Sequence, residues 1–176
     1  REFRPELLSS GVPGLDALLQ GGLERGTVTL VAGPSGTGKT TIAIQFLAAA
    51  AARGERSVVY TFEENGETLL QRSESVGIPI SKLLQDGTLE IVLRVTADEF
   101  AFRVRQEVER RNTRCLLIDS ISGYQLTLLG PELVDQLYAL SKYCRNMGVT
   151  LILTREIERI MGEFRLTEVG ISYMAD

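Results

Sequence analysis

The sequence predicts an α/β fold: a mostly parallel β-sheet with helices on both faces. Three observations predict it. Short apolar, β-branched runs recur through the chain and read as buried strands. Longer stretches with helical spacing separate them, so that strand and helix alternate. The first strong strand, 27–32, leads directly into a glycine-rich loop and then a helix, the opening of a βαβ unit. Such crossovers are right-handed, and functional residues in such sheets gather at the carboxyl ends of the strands.

Residues 1–26 form a lead-in. Gly11-Val12-Pro13-Gly14-Leu15-Asp16 is turn-rich, Leu15, Leu18 and Leu19 fall on one helical face, and Gly21-Gly22 stops that short helix. Thr27-Val28-Thr29-Leu30-Val31-Ala32 is the first strand. Beyond the loop, Thr41-Ile42-Ala43-Ile44-Gln45-Phe46-Leu47 and the alanines to Ala52 predict a largely buried helix, ended by Arg53-Gly54. The second strand covers 57–62 and runs into Glu63-Glu64-Asn65. Asn65 can cap a helix from Gly66 to about Val76, with Glu67 and Glu74 outward, and Gly77-Ile78-Pro79 breaks it. A helical turn over 81–85 leads to a strand over 88–93. The spacing over 97–111 predicts an amphipathic helix with Phe100, Val104 and Val108 on one face and Arg103, Arg105, Glu107, Glu109 and Arg110 on the solvated one. A strand over 114–119 ends in Asp119. Gly130-Pro131 opens a helix to about Met147, with Pro131 in its first turn, and Gly148 ends it. A strand over 149–153 precedes Thr154-Arg155-Glu156. The tail from Ile157 reads as a loop or hairpin, then a short turn over 170–176.

Composition narrows the class. A chain of 176 residues, 44% hydrophobic and 24% charged, has the size and make-up of one globular domain with a sizeable core, 1–176. A net charge of −4 weighs against a chain whose main business is coating nucleic acid. Cys115 and Cys144 lack metal-ligand spacing and there is no histidine, so buried reduced thiols in the cytoplasm are expected. The N-terminus has no apolar targeting core, and no run is long enough to span a bilayer.

The chemistry centres on Gly33-Pro34-Ser35-Gly36-Thr37-Gly38-Lys39-Thr40, which fits G-x-x-x-x-G-K-[ST], the phosphate-binding P-loop. Gly33, Gly36 and Gly38 permit turns that other residues resist and leave room for phosphates. The backbone N–H groups form an anion nest. Lys39 sets a point charge on the β- and γ-phosphates, and the Thr40 hydroxyl can ligate Mg²⁺. Thr41 continues the phosphate-binding set into the helix N-terminus. Asp119, after four apolar residues, has the Walker B pattern and can hold Mg²⁺ beside Thr40; with Ser120 next to it, it also reads as a capping or turn aspartate. Glu63 or Glu64 can orient water against the γ-phosphate as general base, and the neighbouring acid can raise its pKa. The same pair reads equally as a solvated start to a loop.

Together these residues resemble a known family. Gly11-Val12-Pro13-Gly14-Leu15-Asp16, followed by Leu19-x-Gly21-Gly22-Leu23 and Gly26, resembles the approach to the P-loop in KaiC-like ATPases, which belong with RadA and RecA in the RecA-like superfamily. Thr61-Phe62-Glu63-Glu64 resembles their paired catalytic glutamates, Ile118-Asp119-Ser120 their Walker B, and Gly170-Ile171-Ser172-Tyr173-Met174-Ala175-Asp176 a late family segment. The resemblance covers nearly the whole chain. It implies a RecA-like P-loop NTPase core, hydrolysis of ATP with Mg²⁺, and a homo-oligomeric ring, usually a hexamer, with nucleotide between subunits. By position Glu63 is the base and Glu64 its support, with Lys39 counted among the catalytic groups. Family domains continue with further strands and a K-x-R element that reaches the neighbour's nucleotide, so those C-terminal strands are expected to be absent from a chain that stops at Asp176.

Ser172 takes the place of a residue that accepts phosphate in the autophosphorylating domain of KaiC, with Tyr173 where that pair has Thr. The plainer reading is a serine that caps or packs a short turn. Two other functions share the motifs. A RadA/RecA-type DNA-binding recombinase draws on Arg155, Arg159 and Arg165, against the interleaved Glu156, Glu158, Glu163 and Glu168. A nucleotide-gated signalling scaffold would bind without turnover, against the intact Lys39, Glu63 and Asp119. No arginine is evident that would reach the phosphates from within the same chain, which favours self-association; protein partners are unknown, and neither nucleic acid nor membrane is expected as a partner.

Overall fold

The structure, a computed structural model, describes residues 6–62, 65–93, 95–122, 132–157, 159–160 and 163–164. Its centre is a five-stranded, all-parallel sheet in the order β3-β7-β6-β4-β5. These strands are β3 (Val28–Gly33), β4 (Ser57–Thr61), β5 (Leu89–Leu93), β6 (Cys115–Asp119) and β7 (Thr150–Glu156). The helices are α1 (Pro13–Leu18), α2 (Lys39–Ala52), α3 (Gly66–Ser75), α4 (Ile80–Gln85), α5 (Ala97–Arg111) and α6 (Glu132–Asn146). A two-residue pair, β1 (Leu7–Leu8) with β2 (Leu23–Glu24), closes the lead-in. A second, β8 (Arg159–Ile160) with β9 (Glu163–Phe164), is the hairpin expected after Ile157.

The strand side chains alternate between two cores, because neighbouring Cβ atoms point to opposite faces. Val58, Tyr60, Leu116, Ile118, Leu151 and Leu153 face α5 and α6, where Phe100, Val104, Val108, Leu137 and Cys144 meet them. Val59, Cys115, Leu117 and Ile152 face the other way, onto α2 and onto Leu69 of α3 and Ile80 and Leu83 of α4. Both faces are thus covered, which is why β4 and β6 are buried at every residue and read as continuous apolar runs. The small side chains of α2 let it lie close to the sheet: Ala43, Ala48, Ala50 and Ala51 are buried together with Ile44, Phe46 and Leu47. Tyr60 and Phe100 meet edge-on with ring centroids 4.9 Å apart.

The structure departs from the sequence reading at the start of α2, at the end of β7 and in the burial of α1. The P-loop helix begins at Lys39, two residues early, because the motif's last residues already form its first turn. β7 runs on to Glu156, so that Thr154, Arg155 and Glu156 are strand residues; β3 holds them in register through Gly33↔Glu156. Of the three leucines on the expected apolar face of α1, Leu15 packs partly buried against the core, while Leu18 is 83% exposed and Leu19 38%. Hydrogen bonds add to the hold on this six-residue helix. The Asp16 carboxylate accepts from Ser9 Oγ at 2.5 Å, Ser10 Oγ at 2.6 Å and the Ser10 N–H at 2.8 Å. Those bonds pull the Asp16 pKa down, Ser10 contributing most. The predicted short turn over 170–176 and the Gly130-Pro131 helix start lie outside the described residues. Among the described residues no helix is long and apolar enough to cross a membrane.

Candidate functional site

The loop after β3 and the carboxyl ends of β6 and β7 open onto a cavity of about 420 Å³. The P-loop forms one wall. Gly36 and Gly38 have φ of 76° and 86°, where an L side chain would be strained, and nothing lies within 4 Å of the place a Cβ would occupy. Gly33 has no positive φ; a Cβ there would sit 3.0 Å from Thr37 Oγ1, so its role is close approach. The loop is braced from within, since Thr37 Oγ1 and Lys39 Nζ both donate to the Pro34 carbonyl at 2.7 Å. Gly38 is the N-cap of α2, and Ile42 N–H donates to its carbonyl at 3.0 Å. The N–H groups of the first turn before Ile42, on Lys39, Thr40 and Thr41, have no acceptor within the helix. Ser35, Gly36, Gly38, Lys39, Thr40 and Thr41 line the cavity, so the loop and the start of α2 form this side of it.

The opposite wall is acidic and comes from adjacent strands. Asp119 ends β6 and is 5% exposed. Thr40 Oγ1 donates to its two carboxylate oxygens at 3.0 and 3.2 Å, across 79 positions of sequence. Thr154 on β7 donates to Asp119 Oδ1 at 2.7 Å. Asp119 therefore faces the start of α2, and the turn it was also expected to cap runs into residues outside those described. Thr154 was legible only as a strand-end residue; its bond to Asp119 depends on the β6–β7 pairing. Glu156 completes that side of the cavity.

Two further placements bear on the expected roles. Glu63, Glu64 and Ser172 lie outside the described residues. The strand that delivers the glutamates is described: Thr61 stands opposite Asp119 in register, and Phe62 N–H donates to the Asp119 carbonyl at 2.9 Å. Arg155, counted above toward a basic loop, is 5% exposed within β7. Arg72, on α3, also lines the cavity, a residue that motif reading passed over because nothing in its local sequence marks it.

Comparison with known proteins agrees with this geometry. A family model described as "ATPase: KaiC" matches residues 8–176. The chain is 25% identical over 173 residues to the circadian clock oscillator protein KaiC of Picosynechococcus sp., covering 96% of this chain and 34% of that protein. It is 26% identical over the same length to the protein of that name from Parasynechococcus marenigrum. The chain thus spans about a third of the length of these curated relatives. Among solved structures, the KaiC-like protein PH0186 of Pyrococcus horikoshii superposes with a TM-score of 0.82 at 34% identity, covering 98% of this chain and 78% of that one. A parallel sheet with the phosphate loop at its carboxyl edge, matched along almost its whole length, makes this chain a member of the KaiC family of RecA-like P-loop ATPases.

Proposed function

We propose that this chain binds ATP with Mg²⁺ and hydrolyses it, acting as the nucleotide-binding unit of a ring built from copies of itself. The observation that carries the reading is the meeting of Lys39, Thr40 and Asp119 in one cavity at the N-terminus of α2. The N–H groups of 36–41 receive the phosphates, and Lys39, turned from the Pro34 carbonyl to the ligand, neutralises the β- and γ-oxygens. Thr40 Oγ1 and the Asp119 carboxylate fit Mg²⁺: both are hard oxygen donors, they lie within 3.2 Å of each other, and such sites leave the other positions to phosphate and water. A Mg²⁺ ion held by Thr40 and Asp119 would supply positive charge to offset that of the phosphates. Thr154 orients the Asp119 carboxylate from behind. Glu63 takes the proton of the attacking water, with Glu64 in support, as the strand leading to them ends beside Asp119.

Family membership supports assembly as a hexamer with ATP at the subunit border, and the resemblance of 170–176 to a late family segment supports Ser172 as candidate acceptor of the γ-phosphoryl group. Residence in the cytoplasm suits two buried free thiols, Cys115 and Cys144. The clock role named for the curated relatives belongs to proteins of which this chain spans 34%. The burial of Arg155 counts against the recombinase reading, since it removes one of three arginines from the nucleic-acid surface. Incubation of the purified protein with Mg-ATP, with phosphate release, native mass and phosphosite mapping measured together, tests the proposal. Turnover with phosphate on Ser172 marks an autokinase, and turnover with Ser172 unmodified marks an ATPase alone. Tight binding without turnover would replace the enzyme by a nucleotide-gated scaffold.

A further inference from the structure

Arg72 is the only arginine among the described residues that line the phosphate cavity. Its helix is firmly placed. The Asn65 side chain caps α3 by accepting the Thr68 N–H at 2.7 Å, Leu69 and Ser73 are buried on either side of it in the helical repeat, and Glu74 Oε1 accepts the Ser81 N–H at 2.9 Å, tying α3 to α4. Leu69 packs in the core that contains α2, so the P-loop helix and α3 share one support. Arg72, three residues after Leu69, is thereby carried over the same side of the helix, toward the cavity.

The cavity is lined by both signs of charge, Lys39 and Arg72 with Asp119 and Glu156, and a nucleoside triphosphate adds negative charge that the two cations can meet. α3 follows β4, whose last residue, Thr61, is in register with Asp119. Arg72 thus shares one cavity with Thr40 and Asp119, the two groups that would hold Mg²⁺ on the phosphate tail.

On the ATPase reading above, we propose that Arg72 is a γ-phosphate ligand acting within its own chain, so that the site separates ATP from ADP before any neighbouring subunit contributes. In hydrolysis the water oxygen bonds to the γ-phosphorus, the water proton passes to Glu63, and the bond to the β–γ bridging oxygen breaks. Its electron pair stays on the departing ADP. A guanidinium on the γ-oxygens holds the transferring group through that change.

The test uses the full chain with Arg72→Ala and Arg72→Lys, each first checked for an unchanged thermal midpoint. Affinities for ADP and for a non-hydrolysable ATP analogue are measured by calorimetry with Mg²⁺, and kcat by phosphate release. Arg72→Ala is expected to weaken the analogue about 10-fold or more while ADP stays within about 2-fold. Its kcat is expected to fall about 10²-fold, with partial recovery in Arg72→Lys. Mixing Arg72→Ala with Lys39→Ala subunits is expected to restore no activity, because each defect sits in its own site. Equal loss of both nucleotides, loss of neither, or recovery of activity on mixing overturns the assignment. Failure of the unaltered chain to bind either nucleotide would instead overturn the ATP-binding reading on which it rests.

Discussion

At the scale of single residues, two threonine hydroxyls meet the Asp119 carboxylate. Thr154 Oγ1 donates to Asp119 at 2.7 Å from a fully buried position. Thr154→Val keeps the shape and removes the donor. Hydrogen bonds to charged groups contribute about 1.5–3 kcal/mol, so hydrolysis at limiting Mg²⁺ is expected to fall about 10-fold or more. A magnesium titration of the rate checks this, and an unchanged titration would free Thr154 from any role. Glu63→Gln is expected to leave ATP affinity nearly intact and slow turnover by about 10² or more, as loss of a general base does. A larger loss in Glu64→Gln would reverse their order. The P-loop was readable because its residues are contiguous and each spacing has a mechanical reason. Asp119 was readable because it ends an apolar run. Thr154 and Arg72 were not, because a pairing of strands and the landing of a helix bring them to the site, and neither leaves a local mark.

At the scale of elements, burial and capping carry most of the order. Leu117 stands at the middle of β6, fully buried against α2. Leu117→Ala is expected to destabilise the fold by about 2–5 kcal/mol, the range for a large-to-small change in a packed core, read from urea midpoints. Asn65→Ala removes the cap of α3 and is expected to cost about 1 kcal/mol, with Asn65→Asp recovering it. The strands were legible because parallel strands buried on both faces are unbroken apolar runs. The spacing of Phe100, Val104 and Val108 gave α5 its inward face, and all three are buried. The lead-in helix was legible in part: Leu15 packs against the core, Leu18 and Leu19 do not, and the bonds of Ser9 and Ser10 to Asp16 add order that leucine spacing does not reveal. The end of β7 was missed because Thr154-Arg155-Glu156 is polar, and only pairing with β3 makes it strand.

At the scale of the whole molecule, titration behaviour follows from burial and pairing. Burial pushes the Cys115 thiol up to about 11 and the Cys144 thiol up to about 12. The thiolate is the reactive form, so neither cysteine is expected to alkylate at pH 8 until the chain is unfolded, as mass spectrometry after iodoacetamide would record. Glu55 is held below its ordinary 4.5, chiefly by its hydrogen bonds from Arg25, and burial opposes this. A depressed carboxylate contributes stability that is fully present above its unfolded value and lost as pH falls through the folded one. Stability is therefore expected to decline below about pH 4.5, less steeply in Glu55→Gln. The loop at 33–40 is expected to hold the phosphates of ATP at the sheet's carboxyl edge. Calorimetric titration of ATP with Mg²⁺ into the unaltered chain and into Lys39→Ala tests this. One saturable site per chain, weakened about 10-fold or more by Lys39→Ala, is the expected result; equal affinity in the two proteins would contradict it.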